Sequence, residues 1–198
     1  MSNITSQTIS NALKRKGYNI FEADDKPYNL NIIGIRSDNR QPDSFDDWIV
    51  VTWKYKGNWS LIVYQATTDP GRYWLEHPEN PLGTAILKEG RYPGSHIIGL
   101  HKGYKALQQV GNLTVIRDYN LDGTLDYGAN RLETNNNFGI NIHRAVYNGQ
   151  SLVVGKWSAG CQVFADSFQF DQFMAICTEA AKYWGNRFTY TLINVNDL

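Results

Sequence analysis

His143 and Cys161 are the two residues of this chain best suited to covalent chemistry. A histidine beside a cysteine takes the thiol proton, and the thiolate–imidazolium pair that results attacks carbonyl carbon. His143 sits in Gly139-Ile-Asn-Ile-His143-Arg-Ala, where strand alternation puts Asn141 and His143 on the face opposite Ile140 and Ile142. Cys161 ends the run Gly155-Lys-Trp-Ser158-Ala-Gly160-Cys161. Asn148-Gly149 reads as a hairpin turn leading into a returning strand at 152–155, so residues 158–161 come back beside 143. Gly160 lets the backbone bend sharply and lets a carbonyl approach closely. The N–H groups of Gly160 and Cys161 would then hold the oxyanion of a tetrahedral intermediate. Ser158 either bonds the turn or takes part in catalysis. Each residue also has a plainer use: a cysteine as a small core hydrophobe, a strand histidine as a satisfied polar group.

The arrangement of His143, fourteen intervening residues, then Ser158-Ala159-Gly160-Cys161 resembles the active-site motif of L,D-transpeptidase (YkuD-like) catalytic domains. The convincing likeness covers about 25 residues, and the layout is similar over 84–194. The resemblance implies a β-sandwich domain whose cysteine attacks an amide carbonyl of a peptidoglycan stem peptide to give an acyl-enzyme. It implies that a backbone carbonyl or small polar group orients the imidazole, with Asn141 and the backbone at Arg144 as candidates. Two positions depart from the family: Ala159 stands where a histidine is common, and Val163 where an arginine engages substrate. Arg144 or Lys156 would have to supply that cation, and Trp157 and His101 are further candidates for the substrate cleft.

Other polar clusters invite weaker readings. Asp118, Asn120, Asp122, Gly123 and Asp126 have the 1, 3, 5, 6, 9 spacing of a calcium loop, although the twelfth position is Ala129 and a turn held by Asx hydrogen bonds explains the pattern as well. No other cofactor is expected. His96 and His101, at i and i+5, fall on opposite faces of a strand, which argues against a zinc site with His143. His77 lies in a proline-rich loop and reads as solvated. Asp46-Asp47 reads as a loop feature, with paired carboxylates for glycoside hydrolysis as the alternative.

The elements that would position these residues form a mainly β (α+β) domain. A short helix is expected at 5–16, with Gly17 as its stop, and a strand at 28–36. Trp48–Tyr55 and Trp59–Ala66 flank a Lys56-Gly57-Asn58 turn and read as a hairpin. Residues 67–83 read as a long loop, followed by strands near 84–88 and 95–101, one helical turn at 103–110, and a strand at Leu113–Arg117. Gly139–Tyr147 reads as a strand and 167–184 as the best helix, with Phe170, Phe173, Met174, Cys177, Ala181 and Trp184 at helical spacing. Arg187–Asn194 completes the chain as a strand. One catalytic domain over 1–198 is expected, with 1–47 as an N-terminal extension.

Composition agrees with a globular domain: 42% hydrophobic and 19% charged residues in 198. Lys plus Arg and Asp plus Glu are 19 each, so no net charge drives binding to nucleic acid. Only two cysteines are present, in unlike contexts, which disfavours a disulfide framework. The polar N-terminus carries no visible secretory signal and no apolar run long enough to cross a membrane, so no membrane insertion is expected. A wall-directed enzyme made in the cytoplasm would then act after phage lysis, virion carriage or injection, and would cleave the wall rather than build it. The alternative is a non-catalytic glycan- or protein-binding module of a virion or cell surface.

Overall fold

Two Lys-Gly pairs punctuate the sheet. Lys56 and Gly57 have φ of 48° and 80°, the doubly left-handed turn that matches strand twist, and they join β2 (Asp47–Tyr55) to β3 (Asn58–Thr67). Lys102 and Gly103, at 47° and 88°, do the same between β5 (Gly90–His101) and β6 (Tyr104–Gln109). Residues 104–109 are therefore a strand and not the helical turn expected at 103–110.

The computed structural model describes residues 4–128 and 131–198. The remaining elements are α1 (Ser6–Arg15), β1 (Asn31–Arg36), α2 (Arg72–Glu76), β4 (Thr84–Leu87), β7 (Leu113–Asp118), β8 (Leu132–Asn135), β9 (Ile142–Arg144), β10 (Gln162–Phe164), α3 (Ser167–Trp184) and β11 (Phe188–Asn194). The chain is mainly β. Eight strands close on themselves in the order β1-β11-β5-β6-β9-β10-β3-β2, and β4-β7-β8 make a separate small sheet. Where a sandwich of facing sheets was expected, hydrogen bonding closes the larger sheet and leaves it no free edge.

β1 lies between β2 and β11, so the 1–47 segment is built into the main sheet rather than appended to it. β1 is buried at every position because its two faces are both covered. Ile32 joins the main core, while Ile33 and Ile35 pack against Ile9, Ala12 and Leu13 of α1. α1 is started by Thr5, whose side chain accepts the Thr8 N–H, and ends in a basic last turn.

α3 buries Phe170, Phe173, Met174, Cys177 and Ala180 and packs against β6, β9 and β10. Phe164 of β10 meets Phe170 and Phe173 at ring separations of 5.4 and 5.0 Å. The strand that follows Cys161 is thereby fixed to the helix. Cys177 is inside this core and Cys161 is not, and both are free thiols.

Two sequence expectations change around the site. Gly139–Tyr147 is strand only over Ile142–Arg144. Asn148-Gly149 does not make a hairpin, and 152–155 is not a strand: β9 and β10 run parallel, with His143 opposite Val163. Parallel neighbours need a crossover rather than a tight turn, and residues 145–161 supply it. Asp43 anchors that crossover, accepting the N–H groups of Gly155 and Arg72 at 2.8 and 3.0 Å.

Candidate active site

The parallel register sets the site. The Gln162 N–H donates to Asn141 O at 3.0 Å, so the residues just before β10 and just before β9 lie side by side. Cys161 and His143 both line one cavity of about 710 Å³, together with His101, Lys156, Trp157 and Ala159. Trp74, Glu79 and Phe138 contribute further wall, and so does Arg117, whose guanidinium pairs with Glu133 at 2.8 Å. α2, which carries Trp74, lies in the stretch expected to be loop, and β8, which carries Glu133, was not anticipated.

His143 is almost fully buried and its Nδ1–H donates to Arg144 O at 2.8 Å. The backbone at Arg144 is therefore the group that orients the imidazole. With Nδ1 protonated, Nε2 carries the lone pair and is the basic nitrogen. Tyr104 stands by, its hydroxyl 3.5 Å from Nδ1 and donating to Arg144 O at 3.3 Å. Tyr104 escaped notice because its segment reads as helical.

Asn141 does a different job from the one expected. Its Oδ1 accepts the Gln109 N–H at 2.9 Å, which turns its amide nitrogen toward His101 Nδ1 at 3.1 Å. His101 Nδ1 is thus an acceptor and Nε2 holds the proton, buried and without a partner among the described residues. The His101 ring lies flat on His143, centroids 4.1 Å apart and planes 11° apart.

At rest the Cys161 thiol donates to Gly139 O at 3.3 Å rather than to His143. Burial pushes this thiol up to about 11, partly opposed by a hydrogen bond from the Asn141 backbone. Burial, with the neighbouring His101 and Lys102, pushes His143 down to about 3. The resting pair is therefore a neutral thiol and a neutral imidazole, not the thiolate–imidazolium pair expected from residue types alone. The thiol must leave Gly139 O and meet Nε2 to become a nucleophile.

Gly160 and Ser158 shape the turn that presents Cys161. Gly160 has φ of 122°, and a Cβ there would lie 2.3 Å from Ala85 O. Ser158 is buried; its hydroxyl donates to Cys161 O at 2.8 Å and accepts the Gly160 N–H at 3.2 Å. Ser158 thus holds the backbone and is not placed to react, and the Gly160 N–H is already engaged. The Cys161 N–H has no acceptor among the described residues and is the donor left for an oxyanion.

Of the expected substrate-binding residues, Lys156, Trp157 and His101 line the cavity and Arg144 does not. The Arg144 guanidinium pairs with Asp171 at 3.2 Å and covers the rings of Tyr104 and Tyr147, so it staples β9 to α3. Lys156 sits 3.8 Å over the Tyr73 ring, and its carbonyl accepts the Trp74 indole N–H.

The remaining candidates are placed elsewhere. His96 is spent on Ser95 and on Ile140 O. His77 is exposed and stacks on Tyr73. Asp46 accepts from Ser37 and Asn39. Asp47 is buried, accepting from Ser37 and twice from Thr68. Asp46 and Asp47 are therefore structural and do not form a glycosidase pair.

The Cys161 thiol and the His143 ring line one cavity, and the Cys161 N–H is free among the described residues. No family model, curated protein or solved structure matches this chain. Among the described residues no helix is long and apolar enough to cross a membrane.

Proposed function

We propose that this protein is a cysteine-dependent cell-wall enzyme of L,D-transpeptidase-like chemistry, cleaving amide bonds of peptidoglycan stem peptides. The observation that carries this reading is the His143 ring. Its Nδ1–H is committed to Arg144 O, and the ring lines the same cavity as Cys161. In the proposed cycle the thiol proton passes to His143 Nε2 as sulfur attacks the amide carbon. The oxyanion takes the Cys161 N–H. Collapse expels the amine, protonated by His143, and leaves a thioester. Water, deprotonated by His143, releases the acid; an amine in its place would give transfer.

The balance toward hydrolysis rests on the sequence: Ala159 and Val163 replace residues that serve the family's wall-building members. The enzyme would reach its substrate by release, injection or virion delivery. Digesting purified sacculi with wild type and Cys161→Ala and separating the muropeptides tests this. New muropeptides from wild type alone are expected; identical profiles would sink the reading.

A second reading, a glycan- or protein-binding module, draws on the neutral resting thiol and on Trp74, Trp157 and Phe138 in the cavity wall. It predicts that wild type and Cys161→Ala bind sacculi equally and that neither cleaves them.

A further inference from the structure

Asp118 ends β7 and opens the loop that leads to β8. It is 1% exposed. Its Oδ2 accepts the Asp126 N–H at 3.1 Å, which folds the loop back onto its own start. Its Oδ1 is buried with no hydrogen-bond partner among the described residues. A buried carboxylate oxygen left bare is costly unless a proton or a cation meets it.

Among the described residues only backbone N–H groups, those of Asp126 and Asn120, serve this carboxylate, and no cation does. Among the described residues no lysine or arginine pairs with Asp118, Asp122 or Asp126. Exposed Asp122 and half-buried Asp126 each keep one oxygen free of backbone hydrogen bonds, although Asp122 Oδ2 accepts the Asn120 side-chain amide at 3.0 Å. Asp122 Oδ1 accepts from Thr124, and Asp126 Oδ1 from Gly128.

A fourth carboxylate approaches from outside the loop. A Cβ on Gly123 would lie 2.6 Å from Glu76 Oε1, so the acid at the end of α2 rests against the loop's glycine. Loops of this spacing close their calcium shell with an acid at the twelfth position. That position here is Ala129, which lies outside the described residues.

We propose that residues 118–126 bind a calcium ion, with Asp118, Asn120, Asp122 and Asp126 as side-chain ligands, the Thr124 carbonyl as a backbone ligand, and Glu76 closing the shell from α2. Hard oxygen donors in this number suit Ca²⁺ rather than a softer metal. Among the described residues no three His, Cys, Asp or Glu side chains are already gathered as a metal cluster. Binding therefore draws Asp122, Asp126 and Glu76 inward, and its affinity falls in the range of about 10⁻⁴–10⁻³ M typical of modules that work at extracellular calcium. The ion would brace the cavity. Arg117, the residue before Asp118, donates to Gly83 O at 3.0 Å and pairs with Glu133, and all three line the cavity wall.

The test needs no activity assay. Thermal unfolding of the full chain is followed in EGTA, in Ca²⁺ and in Mg²⁺, with terbium luminescence sensitised by the nearby Tyr119 and Tyr127 as the direct readout. Calcium at about ten times Kd is expected to raise Tm by about 3–6 °C, and Mg²⁺ not. Terbium emission should saturate and be displaced by calcium. Asp122→Ala, an exposed change that leaves the core intact, should weaken binding at least tenfold; Glu76→Gln should weaken it several-fold. Absence of a calcium-specific Tm shift and of saturable terbium emission overturns the site, as does wild-type affinity in Asp122→Ala. Wild-type affinity in Glu76→Gln overturns the part assigned to α2.

Discussion

His101 and His143 stack as parallel plates, and the arrangement tolerates a charge on neither ring. Two imidazolium ions 4.1 Å apart would repel, and Lys102 adds a third positive charge nearby. The stack thus favours a neutral His143.

One consequence is acid lability. Unfolded imidazoles take protons near pH 6.5, whereas His96 stays neutral down to about 4 and His143 down to about 3. Below about pH 6.5 the unfolded chain binds more protons, so stability falls as pH falls. Each of these histidines should remove about 2 kcal/mol between pH 6.5 and about pH 5. Urea unfolding across that range checks it; His96→Gln should flatten part of the slope.

The thiol behaves conversely. Held up to about 11 in the folded protein, Cys161 should react with iodoacetamide at a rate that climbs with pH through 9 without levelling. A plateau below pH 8 would show a preformed thiolate and contradict the resting geometry. With the base neutral above about 3 and the thiol protonated below about 11, kcat/KM should be flat from about pH 5 to about pH 9.

Gly160→Ala should be severe. The added Cβ meets Ala85 O, and the φ of 122° is itself disfavoured for alanine. A loss of about 3 kcal/mol or more is expected in thermal or denaturant unfolding, with Cys161 displaced.

Arg144→Ala and Lys156→Ala separate support from substrate contact. Arg144 faces Asp171 and Tyr104 and should lower Tm while leaving KM within about twofold. Lys156 lines the cavity and should raise KM with Tm almost unchanged. The reverse pattern in steady-state kinetics would mean that substrate runs along α3.

Local signals were legible where they were also sufficient. Lys56-Gly57 marks its hairpin without help from the rest of the chain, and the Phe170–Ala181 spacing marks α3 to within a residue at either end. Residue type singled out His143 and Cys161, which line one cavity. The route between them was not legible. Asn148-Gly149 has turn chemistry, but the partner of β9 is chosen by sheet closure, which no local signal carries. Tyr104 was hidden for a related reason: its segment looks helical alone, and the Lys102-Gly103 turn, read with β5, makes it a strand. The neutral state of the Cys–His pair depends on burial, which appears only once the sheet is closed.

The parallel pairing of β9 with β10 separates spacing from connection. The register, Ile142 with Gln162 and His143 with Val163, sets His143 and the start of β10 side by side, and Ser158 and Gly160 fix Cys161 just before it. The crossover's crest, Leu152 and Val153, stands exposed between the anchored Ser151 and Val154, so an insertion confined to the crest should leave the cavity walls in place. Two pieces divided there would carry His143 on one and Cys161 on the other, joined again by the pairing of β9 with β10.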